Sequence, residues 1–478
     1  MITDELALII RETFGMEPTA EQEQALQTFC RFLTSRRSQP VMIMRGCAGT
    51  GKTSLASAFV KTMKRLQQKV VLMAPTGRAA KVFALNSGHE AFTIHRRIYR
   101  QQSGEGGLGR FSLDYNKEQD ALFIVDEASM IANDGQSQSI FGSGRLLDDL
   151  VQFVYSGRNC RLLLIGDKAQ LPPVGEEESP ALVADVMRGY GLDVFECDLN
   201  EVLRQAQDSG ILYNATLIRQ QATGERLIQL PRIQFSQFAD ISNVPGNELI
   251  EALESSYREE GKDETMVVTR SNKRANAYNL GIRNTILGRE EELTTGDMLL
   301  IVKNNYFWGS EEKEKKKAFS FIANGDRACV QRVRNIRELY GFRFADVWLT
   351  FPDYNDVELQ TTVVLDSLHT EAPALTREQD EQLFNAVMED YADIRSKAER
   401  MKKIKEDPYY NALQVKYAYA VTCHKAQGGQ WAHVYIDQGY MTAEMLTPDY
   451  IHWLYTAFTR ATERLFLVNW PEQQTESR

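Results

Sequence analysis

The chain has 478 residues, 43% of them hydrophobic and 25% charged, with a net charge of −10 from 55 basic and 65 acidic side chains. That balance describes a globular chain with room for roughly two to four domains, and no apolar run approaches the ~18 residues of a membrane span. Its six cysteines are scattered without a C-x-x-C pair, which argues against structural zinc and a disulfide framework and suits a reducing, cytoplasmic location.

In chain order, the opening "MITDELALIIRETFGM" is acidic and amphipathic and lacks the basic start of a signal peptide. "PVMIM" then reads as a buried strand, "RGCAGTGKTS" (45–54) as a loop, and "TSLASAFVKTMKRL" as a helix by its apolar spacing. The loop holds the frame G-x-x-x-x-G-K-[ST], with Gly46, Gly51, Lys52 and Thr53 in the fixed places. Glycines let such a loop curl with its N–H groups inward, toward phosphate. The nucleotide contacts expected are Gly46, Ala48, Gly49, Thr50, Gly51, Lys52, Thr53 and Ser54, with ATP as ligand. Lys52 is placed at the outer phosphates and the Thr53 hydroxyl on Mg²⁺.

Further on, "VVLMA" (70–74) is a strand. Residues 96–120 hold a Gly-rich centre between two polar-aromatic arms, predicted as a β-hairpin or flexible loop inserted in the first domain. "ALFIVDEASM" is an apolar strand ending in two carboxylates. Beside a phosphate loop, Asp126 would hold Mg²⁺ through water and Glu127 would polarise the attacking water. "LLLIGDKAQLPPV" (162–174) ends a further strand in a polar loop with Gln170, and "NEVLRQ" (200–205) and "YTAFTRATERL" (455–465) supply Arg204 and Arg460. In the second half, "MVVTR" (266–270), "MLLIV" (298–302), "HVYID" (433–437) and "RLFLV" (464–468) read as strands of a second parallel sheet. The mixed-sign run "EEKEKKK" (311–317) reads as a solvated loop. Residues 325–373 carry short strand-like runs that suggest a small all-β insert, and 376–407 a charged helix.

The ordered motifs resemble those of superfamily 1B helicases, the RecD/Dda-like DNA translocases. "PTAEQEQAL" is similar to the adenine-reading Q motif, "GCAGTGKTS" and "VDEAS" to motifs I and II, and "APTGRAAKVF" (74–83) to motif Ia. "TIHRRIY" (93–99) is similar to the DNA-contact motif that follows, "GDKAQLPPV" to motif III and "LNEVLRQ" to motif IV. "YAVTCHKAQGGQW" (419–431) is similar to motif V and "YTAFTRA" to motif VI. The resemblance implies an α/β fold of two RecA-like parallel-sheet domains, with a β-hairpin insert in the first and an SH3-like β insert in the second. The domains expected are 1–190 (1A, with hairpin 1B at about 96–120), 191–322 with 411–478 (2A), and 323–410 (2B with the charged helical segment).

It further implies that Gln22 contacts the base, that Gln170 and Arg204 face the γ-phosphate, and that Arg460 is an arginine finger. Lys52, Glu127, Gln170, Arg204 and Arg460 become the catalytic set. Pro75, Thr76, Thr93 and His95 are placed near DNA in the first domain, with Thr422, His424, Lys425 and Gln427 in the second. The activity implied is ATP-dependent 5′→3′ movement on single-stranded DNA with unwinding of forked duplexes, protein partners in repair or recombination, and no membrane. Three alternatives stay open: a nucleotide switch that does not translocate, a subunit of an exodeoxyribonuclease V-like complex, and a helicase acting on RNA, since 2′-OH contacts cannot be read from sequence.

Overall fold

A computed structural model describes residues 2–101, 111–135, 141–202, 208–308 and 321–476. The first eight strands are β1 (Pro40–Gly46), β2 (Lys69–Ala74), β3 (Ala91–Thr93), β4 (Tyr99–Gln101), β5 (Phe111–Leu113), β6 (Ala121–Val125), β7 (Arg161–Gly166) and β8 (Asp193–Leu199). Six of them form an all-parallel sheet in the order β3-β2-β6-β7-β1-β8. The near-continuous apolar runs follow from burial on both faces. Val41 and Ile43 of β1 enter one core with Phe123 and Phe153, while Met42 and Met44 enter the other with Phe29 and Phe59. Phe29 and Phe59 stack at 3.8 Å and join helices Ala20–Thr34 and Lys52–Arg65.

Strands β4 and β5 pair antiparallel, Tyr99 opposite Leu113 and Gln101 opposite Phe111. The arms of the expected insert are thus a hairpin, and its Gly-rich centre lies outside the described residues. The first sheet continues through β8, which pairs with β1 along its whole length. It therefore runs past the boundary expected near 190.

Strands β9 (Ile241–Val244) and β10 (Thr265–Thr269) begin a second sheet, completed by β16 (Ala420–Thr422), β17 (Trp431–Asp437) and β18 (Ala461–Val468). Its order is β16-β10-β17-β18-β9, all parallel. Between them, β11 (Met298–Ile301), β12 (Arg327–Leu339), β13 (Phe342–Phe351), β14 (Val357–Val364) and β15 (Leu413–Tyr417) close a small barrel. "MLLIV" was expected in the parallel sheet, but β11 pairs antiparallel with β12 and β15. A short apolar run buried on both faces suits either setting, so pairing rather than composition decides. The barrel therefore begins before residue 323 and ends after 410. The charged segment forms helices Arg377–Asp390 and Lys397–Lys405, which cover the barrel through Leu383, Val387 and Ile404 against Phe342 and Phe344. The run 311–317 lies outside the described residues. Among the described residues, no helix is long and apolar enough to cross a membrane.

Candidate nucleotide site between two sheets

The adjacent strands β6, β7 and β1 bring three loops to one edge, because parallel strands present their carboxyl ends on the same side. The β1 loop carries Gly49 and Gly51 at φ +77° and +81°, conformations that suit glycine. At Gly46 a Cβ would lie 2.8 Å from Lys52 Cγ, so the glycine lets the lysine fold across the loop. Lys52 Nζ donates to the carbonyls of Gly46 and Cys47 at 2.5 and 2.8 Å. Thr50 Oγ1 donates to the Cys47 carbonyl at 2.8 Å. Thr53 and Ser54 stand exposed on the first turn of helix Lys52–Arg65.

Gln22 is buried, and its amide is engaged by protein. Its Oε1 accepts from Thr19 N at 3.0 Å in a capping box, and its Nε2 donates to the Thr50 carbonyl at 2.9 Å. It therefore ties the start of helix Ala20–Thr34 to the phosphate loop.

After β6, the Asp126 carboxyl is held above the ordinary carboxylate range, first by burial and then by the neighbouring Glu127, with Lys52 opposing. Glu127 sits at φ +53°, an uncommon conformation for glutamate that turns the chain sharply as it leaves the sheet. After β7, Gln170 is buried between the two halves of the chain. With its amide oriented to satisfy both neighbours, it donates to Glu127 Oε2 at 3.3 Å and accepts from Arg460 Nη2 at 3.2 Å. Arg460 is 1% exposed and is braced by the carbonyls of Thr456 and Gly429, each at 3.0 Å. Arg204 lies outside the described residues.

The same β7 loop is gripped by helix Pro448–Phe458 of the second half. Tyr455 Oη donates to Asp167 Oδ2 at 2.6 Å and accepts from Ala48 N–H at 3.0 Å. Thr456 Oγ1 accepts from Leu171 N at 2.7 Å, and His452 Nδ1 lies 2.9 Å from the Ala169 carbonyl. Gln427, expected near DNA, is buried, and it donates to the Leu171 carbonyl at 2.6 Å. Sequence reasoning did not single out Tyr455, Thr456, His452 or Asp167. Three of the four lie inside the stretches quoted for Gln170 and Arg460, but nothing in their spacing marks them as partners across a cleft.

A second concavity lies where the two sheets meet the barrel. A cavity of about 180 Å³ is lined by Thr76, Arg78, Asn324, Arg327, His424 and Lys425 among others. Thr76 caps helix Gly77–Ser87 through its hydroxyl, and Pro75 is half-buried beside it. Lys425 reaches Asn324, and burial lowers its pKa. His424 is exposed, and Thr422 precedes the short helix Cys423–Ala426 without a side-chain capping bond. Thr93 and His95 face elsewhere. Thr93 is a buried cap bonded to Arg96 N, and His95 packs against Phe141 at 4.8 Å, where burial pushes its pKa down to about 4. Neither is among the residues lining this cavity.

The AAA domain model matches residues 17–235, and the UvrD-like helicase C-terminal domain model matches residues 417–468. The ATP-dependent RecD2 DNA helicase of Deinococcus radiodurans is 33% identical over 137 residues, 28% of this chain and 16% of that protein. The ATP-dependent DNA helicase Dda of enterobacteria phage T4 is 29% identical over 164 residues, 34% of each chain. Among solved structures, the Bacteroides Pif1 helicase in complex with ADP-AlF3 and ssDNA matches 97% of this chain and 95% of its own, at 15% identity and a TM-score of 0.46. The chain spans 16% to 38% of the length of the curated relatives it matches.

Proposed function

We propose, from the chain's membership of the RecD/Dda-like superfamily 1B helicases, that it hydrolyses ATP between its two parallel sheets to move 5′→3′ along single-stranded DNA, opening duplex as it goes. The observation that carries this reading is the Glu127–Gln170–Arg460 bridge, in which an acid and an amide from the first sheet meet an arginine from the second. An ATP site built this way is complete only when the cleft is closed, which couples hydrolysis to a hinge motion.

ATP sits on the β1 loop, with its phosphates at the N-terminus of helix Lys52–Arg65. Lys52 leaves its loop carbonyls for the outer phosphates. Thr53 and Asp126 fit as holders of Mg²⁺, since an exposed hydroxyl and a half-buried carboxyl of raised pKa are the oxygen donors that such a cation takes. When bound, Mg²⁺ neutralises phosphate charge there. Glu127 orients and polarises water, Gln170 reports the γ-phosphate to both sides, and Arg460 stabilises the charge that develops. Loss of the γ-phosphate removes the shared ligand of the two sheets. The cleft then relaxes, and the DNA grips slide relative to each other. Thr76 in the first half and His424 with Lys425 in the second serve as those grips, with Arg327 of the barrel beside them.

The test is unwinding of matched DNA and RNA duplexes carrying a 5′ or a 3′ single-stranded tail, with ATPase measured in parallel. The expected result is ATPase stimulated by single strands and opening of the 5′-tailed DNA. Opening from the 3′ tail alone overturns the direction, opening of RNA alone overturns the substrate, and ATPase indifferent to single strands overturns translocation.

A further inference from the structure

On the second sheet, outside the cleft network, a ring nitrogen of His433 and carboxylate oxygens of Glu260 and Glu463 all lie within 4.8 Å of one another. Three separate elements supply them: Glu260 ends helix Leu249–Glu259, His433 is on β17, and Glu463 is on β18. The two glutamates are exposed, whereas His433 is 2% exposed.

The imidazole is also held in one orientation. His433 Nδ1 lies 2.9 Å from Ser256 Oγ, and Ser256 Oγ lies 2.7 Å from Tyr435 Oη, with both partners inside the domain. In the tautomer where Nδ1–H donates to Ser256, the Ser256 hydroxyl donates to Tyr435 Oη and Nε2 keeps its lone pair. Fixing a histidine through its other ring nitrogen is what outer partners do at metal sites. Burial lowers the His433 pKa. The nearby cation is Arg464, opposite His433 in the β17–β18 register. It is turned toward Glu259 at 3.6 Å and lies over the Phe466 ring.

We propose that Glu260, His433 and Glu463 bind one zinc ion, which clamps the end of helix Leu249–Glu259 to strands β17 and β18. One imidazole and two carboxylates form a three-ligand set that suits Zn²⁺, with water in the fourth position. Mg²⁺ prefers an all-oxygen shell rich in water and is not expected here. The scattered cysteines give no hint of such a site, because its ligands share no short spacing.

The experiment uses the full chain stripped with a chelator, titrated with ZnCl₂ by calorimetry and followed by thermal melting. The parent is expected to take up one equivalent and melt at higher temperature with zinc, and not with the same concentration of MgCl₂. Glu260→Gln and Glu463→Gln, at exposed positions, are expected to fold like the parent without metal and to weaken zinc binding at least about tenfold. His433→Gln is a further variant, though a buried one. No stoichiometric zinc uptake by the parent overturns the proposal. So does affinity within tenfold of the parent in either carboxylate variant, since zinc would then be held elsewhere.

Discussion

Glu127 is the residue whose position says most about chemistry. It leaves β6 in a left-handed turn, at φ +53°, that a glutamate adopts only when its surroundings impose it, and its carboxylate meets Gln170. Replacing the acid with its amide keeps size and turn while removing the charge that polarises water. Glu127→Gln should therefore bind ATP as the parent does, yet turn over at least about 10²-fold more slowly, the scale of lost general-base help. Single-turnover hydrolysis checks this, and a rate near that of the parent would reassign the residue. Gln22 makes a contrasting case. Its place in the motif points to a base contact, but its amide already bonds Thr19 and Thr50, so it shapes the loop from beneath. Motif position was legible in the sequence. Which partner the side chain takes was not, because capping and ligand binding ask for the same amide.

At the scale of elements, the hairpin β4–β5 stands on an aromatic base. Phe111 lies 4.9 Å from Tyr306, 5.0 Å from Phe141 and 5.8 Å from Phe321, so residues from both halves of the chain support it. A motor that separates strands needs a rigid object at the junction, since each base-pair step costs on the order of 1–2 kcal/mol to open. Replacing Gln101–Arg110 with a short Gly-Ser linker should leave single-strand-stimulated ATPase intact and abolish duplex opening. A variant that keeps both activities would show that the replaced segment takes no part in strand separation. The barrel teaches the limits of reading elements one at a time. Its strands were visible as apolar runs, but β11 and β15 lie far apart in sequence, and no local spacing marks them as partners.

For the whole molecule, the decisive feature is how the second sheet holds the β7 loop. Tyr455 spans the cleft, accepting from Ala48 N–H in the phosphate loop and donating its O–H to Asp167. Tyr455→Phe removes both bonds without changing the ring, leaving buried polar groups unpaired at a cost of about 1–3 kcal/mol to the closed form. The expected outcome is a higher KM for ATP with a smaller change in kcat, measured by steady-state ATPase on single-stranded DNA. An unchanged KM would mean that the phenol merely fills space. The sequence by itself determined the phosphate loop, the Asp126–Glu127 pair and the alternation that makes parallel sheets. All of these are local spacings, written over a few residues, that any strand–loop–helix unit must satisfy. Only the tertiary structure decided that Gln427 bonds the β7 loop across the cleft while also lining the cavity, that His95 packs against Tyr99 and Phe141, and that Tyr455 touches the phosphate loop. Those roles depend on which distant surfaces meet, and packing between remote segments leaves no period or spacing in the chain to read.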